Sequence, residues 1–325
     1  MLSLIFFLFA AACDGGGKGL EAVPEISPAE DKPAHGDTLV TASIADAHNL
    51  IPWLAGDGAS MSVANLILGS LLNYDGDYEL YGDLAERWET SEDGLTLTFH
   101  LRKGVTWQDG VPFTADDVIY TFQQVIDPKT PTPYSESYKQ VKRAEAVDSH
   151  TIRITYERPY CPALETWASL AIVPKHLLEP QLKAAGEITK VPLTREPVGT
   201  GPYRMKTWKS QERIELVANP DYYAGRPWID RWVTRVIPDT ATQFLQLKSG
   251  GIDEMGLSPT QWSRQTETAA FKGAFQKFKY PVNSYTYLGF NLKEPRFKDR
   301  RVRQAIAYAI DRQEIVDGVL LGLGV

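Results

Sequence analysis

The sequence predicts an α/β fold in which mixed β-sheets are flanked by helices, and three local patterns carry that prediction. In the first, Leu95, Leu97, Phe99 and Leu101 alternate with Thr96, Thr98, His100 and Arg102, the period-two pattern of a strand with one buried face. In the second, Thr114 stands as an N-cap before Asp116 and Asp117, with Val118, Ile119, Phe122, Val125 and Ile126 forming an apolar helical stripe. In the third, Asp299 precedes a helix whose Val302, Ala305, Ile306, Ala309 and Ile310 keep i, i+3, i+4, i+7, i+8 spacing.

The remaining elements follow in chain order. Residues Asp37 to Ile44 read as a first strand, entering a loop at Asn49 to Trp53, and Ser60 to Leu72 as a short amphipathic helix. The turns Glu92-Asp93-Gly94, Lys103-Gly104 and Gln108-Asp109-Gly110 punctuate the segment around the alternating strand. A strand pair is expected around Asp148-Ser149, and a strand turning into a helix between Trp167 and Leu178. Val198-Gly199-Thr200-Gly201-Pro202-Tyr203 reads as a sharp turn into a strand from Tyr203 to Trp208. It is architecture and not a phosphate cradle, because strand-like residues follow it. Strands are expected at Trp232 to Ile237, Ile252 to Leu257 and Tyr285 to Asn291. A helix from Thr240 to Ser249 ends at Gly250-Gly251, another holds Trp262, and Asp311 with Glu314 forms a capping box.

A chain of 325 residues with 43% hydrophobic content can build more than one core. The net charge of −7 is spread without a basic block, so nucleic-acid binding is excluded. Of the two cysteines, Cys161 reads as a small buried hydrophobe. The five histidines show no paired spacing, so neither a metal site nor a catalytic triad can be assembled, and no cofactor is called for. Adjacent Asp253 and Glu254 in a strand point to opposite faces, which argues against a hydrolase pair.

The apolar run from Leu2 to Ala12 is too short to span a bilayer and has the length of a signal-peptide core. It ends in Ala10-Ala11-Ala12-Cys13, which resembles a bacterial lipobox, so residues 1–13 read as signal and lipidation site with Cys13 as the acylated residue. Residues 14–36, rich in Gly, Pro and acidic residues, read as a flexible linker.

The stretch from Leu84 to Phe122 resembles the signature region of the family 5 extracellular solute-binding proteins, which deliver peptides, nickel and other solutes to bacterial ABC importers. The same order continues through Pro197 to Tyr203, Ala218-Asn219-Pro220-Asp221-Tyr222-Tyr223, Tyr287 to Leu292 and Arg301 to Arg312. The resemblance implies a two-lobe, type II periplasmic-binding-protein-like fold. Residues 37–57 and 190–280 would form the first-lobe core, 58–189 an additional domain, and 281–325 the crossing strand and start of a second lobe. The chain stops at Val325, so that lobe is expected to be truncated at its C-terminus.

It also implies the function: a monomeric, non-enzymatic receptor, lipid-anchored at the periplasmic or extracellular face. It would capture an oligopeptide or dipeptide between lobes and present it to ABC permease subunits. The ligand candidates are Gly56, Asp57 and Ser60, where oligopeptide receptors place a carboxylate near the ligand's amino terminus, with Tyr134, Trp262 and Tyr285. Asp57 also reads as a solvated turn residue between two glycines, and Tyr134 as a buried structural tyrosine. Nickel complexes, haem or an oligosaccharide remain alternative cargoes, the last suited by 15 Tyr and 8 Trp. A sensor or interaction lipoprotein is the alternative if the chain ends at Val325.

Overall fold

The computed structural model describes residues 34–280 and 285–324, which divide into two compact units meeting at Met255 and Gly256. The first holds every named strand. In chain order it comprises β1 (Gly36–Ser43), α1 (Gly58–Ala64), β2 (Leu72–Tyr74), β3 (Leu80–Gly82), β4 (Ala85–Thr90), β5 (Thr96–Leu101), α2 (Ala115–Ile126), β6 (Val141–Asp148) and β7 (Thr151–Tyr156). It continues with α3 (Ala163–Ala168), α4 (Lys175–Ala185), β8 (Tyr203–Lys209), β9 (Arg213–Ala218), β10 (Ile229–Val236) and α5 (Thr240–Lys248). The second unit carries α6 (Ala269–Ala274), α7 (Arg300–Ala309) and α8 (Arg312–Glu314).

Two four-stranded sheets organise the first unit. One has the order β1-β10-β9-β8, with β1 parallel to β10 and the other pairs antiparallel. The other has the order β4-β5-β7-β6 and is antiparallel throughout. The alternation predicted for β5 is observed: Leu97, Phe99 and Leu101 are buried and face α2, whose Val118, Phe122 and Val125 belong to the same core. Trp107 and Trp167 are completely enclosed there. Burying side chains of this size is worth about 1.5–3 kcal/mol each, so this cluster is the main source of cohesion. A smaller cluster of Leu50, Val63, Ala64, Ile67, Ile214 and Leu216 joins α1 to the first sheet.

The cap of α2 is a capping box, with the Asp117 carboxylate accepting the Thr114 N–H at 2.9 Å. Asp117 does more than complement the helix dipole. It is buried, and it also accepts from Lys175 N–H at 3.0 Å and the Trp107 indole at 3.3 Å, tying α2 to α4 and to the 107–110 turn.

Several expected elements differ. The helix expected from Ser60 to Leu72 ends at Ala64, because the carbonyls of Leu66 and Ile67 accept from Tyr203 N–H (2.9 Å) and Gly201 N–H (2.8 Å). No strand forms between Trp167 and Leu178. The buried run there bonds to a loop and a side chain, Ile172 N–H to Gly69 O at 2.9 Å and Val173 N–H to Thr121 Oγ1 at 3.1 Å, before α4 begins. The strand expected at Ile252 shrinks to one bridge between Thr41 and Glu254, since the Asp253 side chain takes the Val40 N–H at 2.7 Å. Residues 285–291 join no ladder among the described residues, and Tyr285 is 84% exposed. Cys161 is exposed, because it sits at the turn before α3 and not on the apolar face of that helix. The His100 ring, on the polar side of β5, is largely covered, with Nε2 3.3 Å from Glu89.

Candidate functional site

In open α/β sheets ligands gather beyond the carboxyl ends of parallel strands, because there the chain leaves the sheet in loops. The parallel pair here ends at Ser43 and Val236, with Ile237 N–H donating to Ser43 O at 2.8 Å. Beyond that point β1 enters the 44–57 loop, and β10 turns into α5 through Asp239, whose carboxylate accepts Thr242 N–H at 2.7 Å. Ile44 projects from the edge with 63% exposure.

The 44–57 loop is fixed at several points. Buried Asp46 accepts the Trp208 indole N–H and the Gln211 N–H, both at 2.9 Å, and Arg195 lies 3.7 Å over the Trp208 ring. Leu50 N–H donates to Thr194 O at 2.8 Å, and the Trp53 indole donates to Ala171 O at 3.1 Å. Such a loop is pre-organised, so a ligand meeting it loses little free energy to ordering.

Gly56, Asp57 and Ser60 stand together at the end of this loop. Asp57 caps α1: Oδ1 accepts Ser60 N–H and Oδ2 accepts the Ser60 hydroxyl, each at 2.8 Å. The Ser60 oxygen in turn accepts His48 N–H at 2.9 Å and Asn49 N–H at 3.3 Å, and Ser60 is fully buried. Both carboxylate oxygens therefore serve the helix start, with Asp57 half-buried and Gly56 exposed. Tyr134 belongs to another segment, at the start of a 3-10 turn that packs beside α2. Its neighbour Tyr138 is the buried tyrosine, donating to Thr166 O at 3.1 Å, while Tyr134 is 37% exposed.

The other two candidates belong to the second unit. Trp262 sits in a π-helical turn, Gln261–Gln265, with the Lys277 ammonium 4.5 Å from its ring. Tyr285 pairs with Tyr287 at 5.8 Å between ring centroids. No group of three metal-ligating side chains exists among the described residues. No described helix is long and apolar enough to cross a membrane. The proposed lipidation site, Cys13, lies outside the described residues.

Residues that motif reading treated as architecture form a tight brace behind the loop. Gln108 N–H donates to Gly199 O at 2.9 Å, its side-chain amide donates to Tyr203 O at 2.7 Å, and its Oε1 accepts Gly199 N–H at 3.2 Å. Buried Asn219 donates to Gly201 O at 3.0 Å and accepts from Arg204 at 2.6 and 2.9 Å. Tyr223 donates to buried Asp83, which also accepts Ser70 N–H at 3.0 Å. Burial pushes the Asp83 carboxyl up from its ordinary range, against the lowering effect of these hydrogen bonds, and pushes the Tyr223 phenol well up.

The profile of the bacterial extracellular solute-binding proteins, family 5 (middle region), matches residues 79–325. The chain belongs to this family. It is 31% identical over 339 residues to the oligopeptide-binding protein AppA of Bacillus subtilis, covering all of this chain and 59% of AppA. The crystal structure of AppA with a nonapeptide matches with a TM-score of 0.79, covering 90% of this chain and 57% of that one, at 30% identity. NikZ of Campylobacter jejuni, in complex with Ni(L-His), matches with a TM-score of 0.77 at 30% identity, covering 88% of this chain and 56% of NikZ. The heme-binding protein A of Haemophilus influenzae is 30% identical over 344 residues, covering 98% of this chain and 60% of that protein. The family 5 chain thus spans about three-fifths of the length of these relatives, and its fold is that of the type II periplasmic binding proteins.

Proposed function

We propose that the chain captures a peptide outside the cytoplasm and delivers it to an ABC importer. The observation that carries this reading is that AppA, an oligopeptide-binding protein, is similar to it in both sequence and structure. The pre-organised loop at the carboxyl edge of β1 supports it, since a ligand that meets a loop already fixed by the chain's own hydrogen bonds loses little free energy to ordering.

In this reading the 44–57 loop, with Gly56, Asp57 and Ser60, forms one wall of the site. Ser60 acts indirectly, by holding Asp57 and the loop; Tyr134, Trp262 and Tyr285 supply aromatic surface. Residues 37–57 and 190–280 form a core domain, 58–189 an additional domain, and 281–325 lead into a second lobe. Ligand closes the lobes by favouring the closed state, and the permease subunits recognise that state. The receptor works as a monomer and performs no chemistry on its cargo. Cys13 carries the lipid that holds it at the membrane, and residues 14–36 are the tether.

A second reading takes nickel complexes or haem as cargo, and the similarity to NikZ and to heme-binding protein A favours it over a sugar. Calorimetric titration with a mixed tri- to nonapeptide pool, nickel with histidine, and haemin separates the two. Saturable heat with the peptides alone is the expected result; heat with nickel–histidine or haemin alone overturns the peptide reading.

A further inference from the structure

Among the candidate ligand residues, Trp262 carries a cation of the chain's own, Lys277, against its ring. It lies in a π-helical turn, a rare distortion that is frequent at functional sites. The widened turn leaves the Trp262 carbonyl to side-chain donors: Thr266 Oγ1 donates to it at 2.7 Å and Lys277 Nζ at 3.1 Å. Lys277 also donates to Thr266 Oγ1 at 2.9 Å and to Glu267 Oε1 at 2.6 Å, and its side chain is only 17% exposed. Three acceptors thus fix the ammonium 4.5 Å from the indole ring, within the distance at which a cation is held by an aromatic face. Glu267 is itself shared with Lys272 at 2.6 Å, so the cluster of two lysines and one glutamate keeps one net positive charge.

We propose that Lys277 is a positioning and specificity-determining residue: its ammonium fills the cation-binding face of Trp262 and bars lysine and arginine side chains of a peptide from stacking there. The inference rests on the reading of the chain as a peptide receptor with Trp262 as a ligand residue. The filled face repels a second cation, while the remaining surface of the half-buried ring accepts neutral apolar or aromatic side chains. A built-in lysine thereby narrows a site that would otherwise be indifferent to side-chain charge.

The test follows the Trp262 indole N–H signal of 15N-tryptophan-labelled protein, assigned with Trp262→Phe, during titration with Ala-Met-Ala and Ala-Lys-Ala. Parallel calorimetry reports total binding. In the wild type the methionine peptide moves the signal and the lysine peptide at equal concentration does not. In Lys277→Met the lysine peptide gains about 2- to 30-fold in affinity at this signal, the span of a released cation–π contact. Lys277→Arg keeps the wild-type discrimination. Lys277→Gln, neutral but still able to donate to the Trp262 carbonyl, serves if the methionine variant does not fold. Equal response to both peptides in the wild type, or no gain in either neutral variant, overturns the proposal. A Trp262 signal unmoved by peptides that calorimetry shows to bind overturns it while leaving peptide capture intact; no heat from either peptide counts against both.

Discussion

The phenol of Tyr223 donates a hydrogen bond to the carboxylate of Asp83, 140 residues away in sequence, and Arg102 covers the tyrosine ring at 5.6 Å. Arg102 also donates to the Asp83 and Gly82 carbonyls, so the segment after β9 is fastened to the start of β4 through one buried cluster. Removing the hydroxyl in Tyr223→Phe leaves a buried acceptor short of one donor, and is expected to cost about 1–3 kcal/mol of stability in urea denaturation.

Asp83 gives this cluster a pH dependence. Its folded-state pKa is raised by burial, so the folded chain holds this proton more tightly than the unfolded one. The stabilising contribution is complete below the unfolded value near 3.8 and is lost as pH rises through the raised value. Asp83→Asn should therefore cost more stability at pH 3.5 than at pH 7.5, and denaturation at the two values measures the difference. Glu215, lowered first by its hydrogen bond from Lys206 and further by Arg231, contributes in the opposite sense: its share is present above its unfolded value near 4.5 and is lost on acidification.

Gly199 is pressed against Ile67, where an added Cβ would lie 1.7 Å from the carbonyl oxygen, whereas a Cβ at Gly76 meets nothing within 4 Å. Gly199→Ala is expected to destabilise by about 3 kcal/mol or more, and Gly76→Ala to change stability by less than about 0.5 kcal/mol. Urea midpoints of the two variants provide the comparison.

Ser60 is the junction between the 44–57 loop and α1. Ser60→Ala leaves the His48 and Asn49 N–H groups without their acceptor and removes the donor to Asp57 Oδ2. The expected loss is about 1–3 kcal/mol, with amide exchange of residues 48 and 49 accelerated ahead of global unfolding.

Cys161 is exposed at the turn before α3. It should react with a disulfide reagent in the native chain as fast as in denaturant, and protection until unfolding would contradict this placement.

Elements written in local pattern were legible in the sequence. The alternation of Leu97, Phe99 and Leu101 fixes the buried face of β5, and Thr114 with Asp117 marks the start of α2, since both signals span only a few residues. Elements that depend on distant partners were not. Residues 170–173 are apolar enough for a strand, yet their partners are Gly69 and Thr121, and no strand lies beside them. Tyr285 to Asn291 has strand-like residues but no ladder among the described residues. The helix after Ser60 stops early because Gly201 and Tyr203, about 135 residues later, take its carbonyls. At the candidate site, Asp57 was readable only as a turn residue between two glycines, and its capping of α1 emerges from the structure, where its carboxylate accepts the Ser60 N–H and hydroxyl. The burial of Ser60 and the ammonium over Trp262 were not readable, because His48 and Lys277 reach them from outside the local motif.

The measurement that tests the central claim most directly is native mass spectrometry of the protein purified from its own cells without refolding. The account predicts a family of adducts whose released masses fragment as peptides and which exchange when a defined peptide is added in excess. Release of haem or a nickel complex, with no peptide among the adducts, would contradict it.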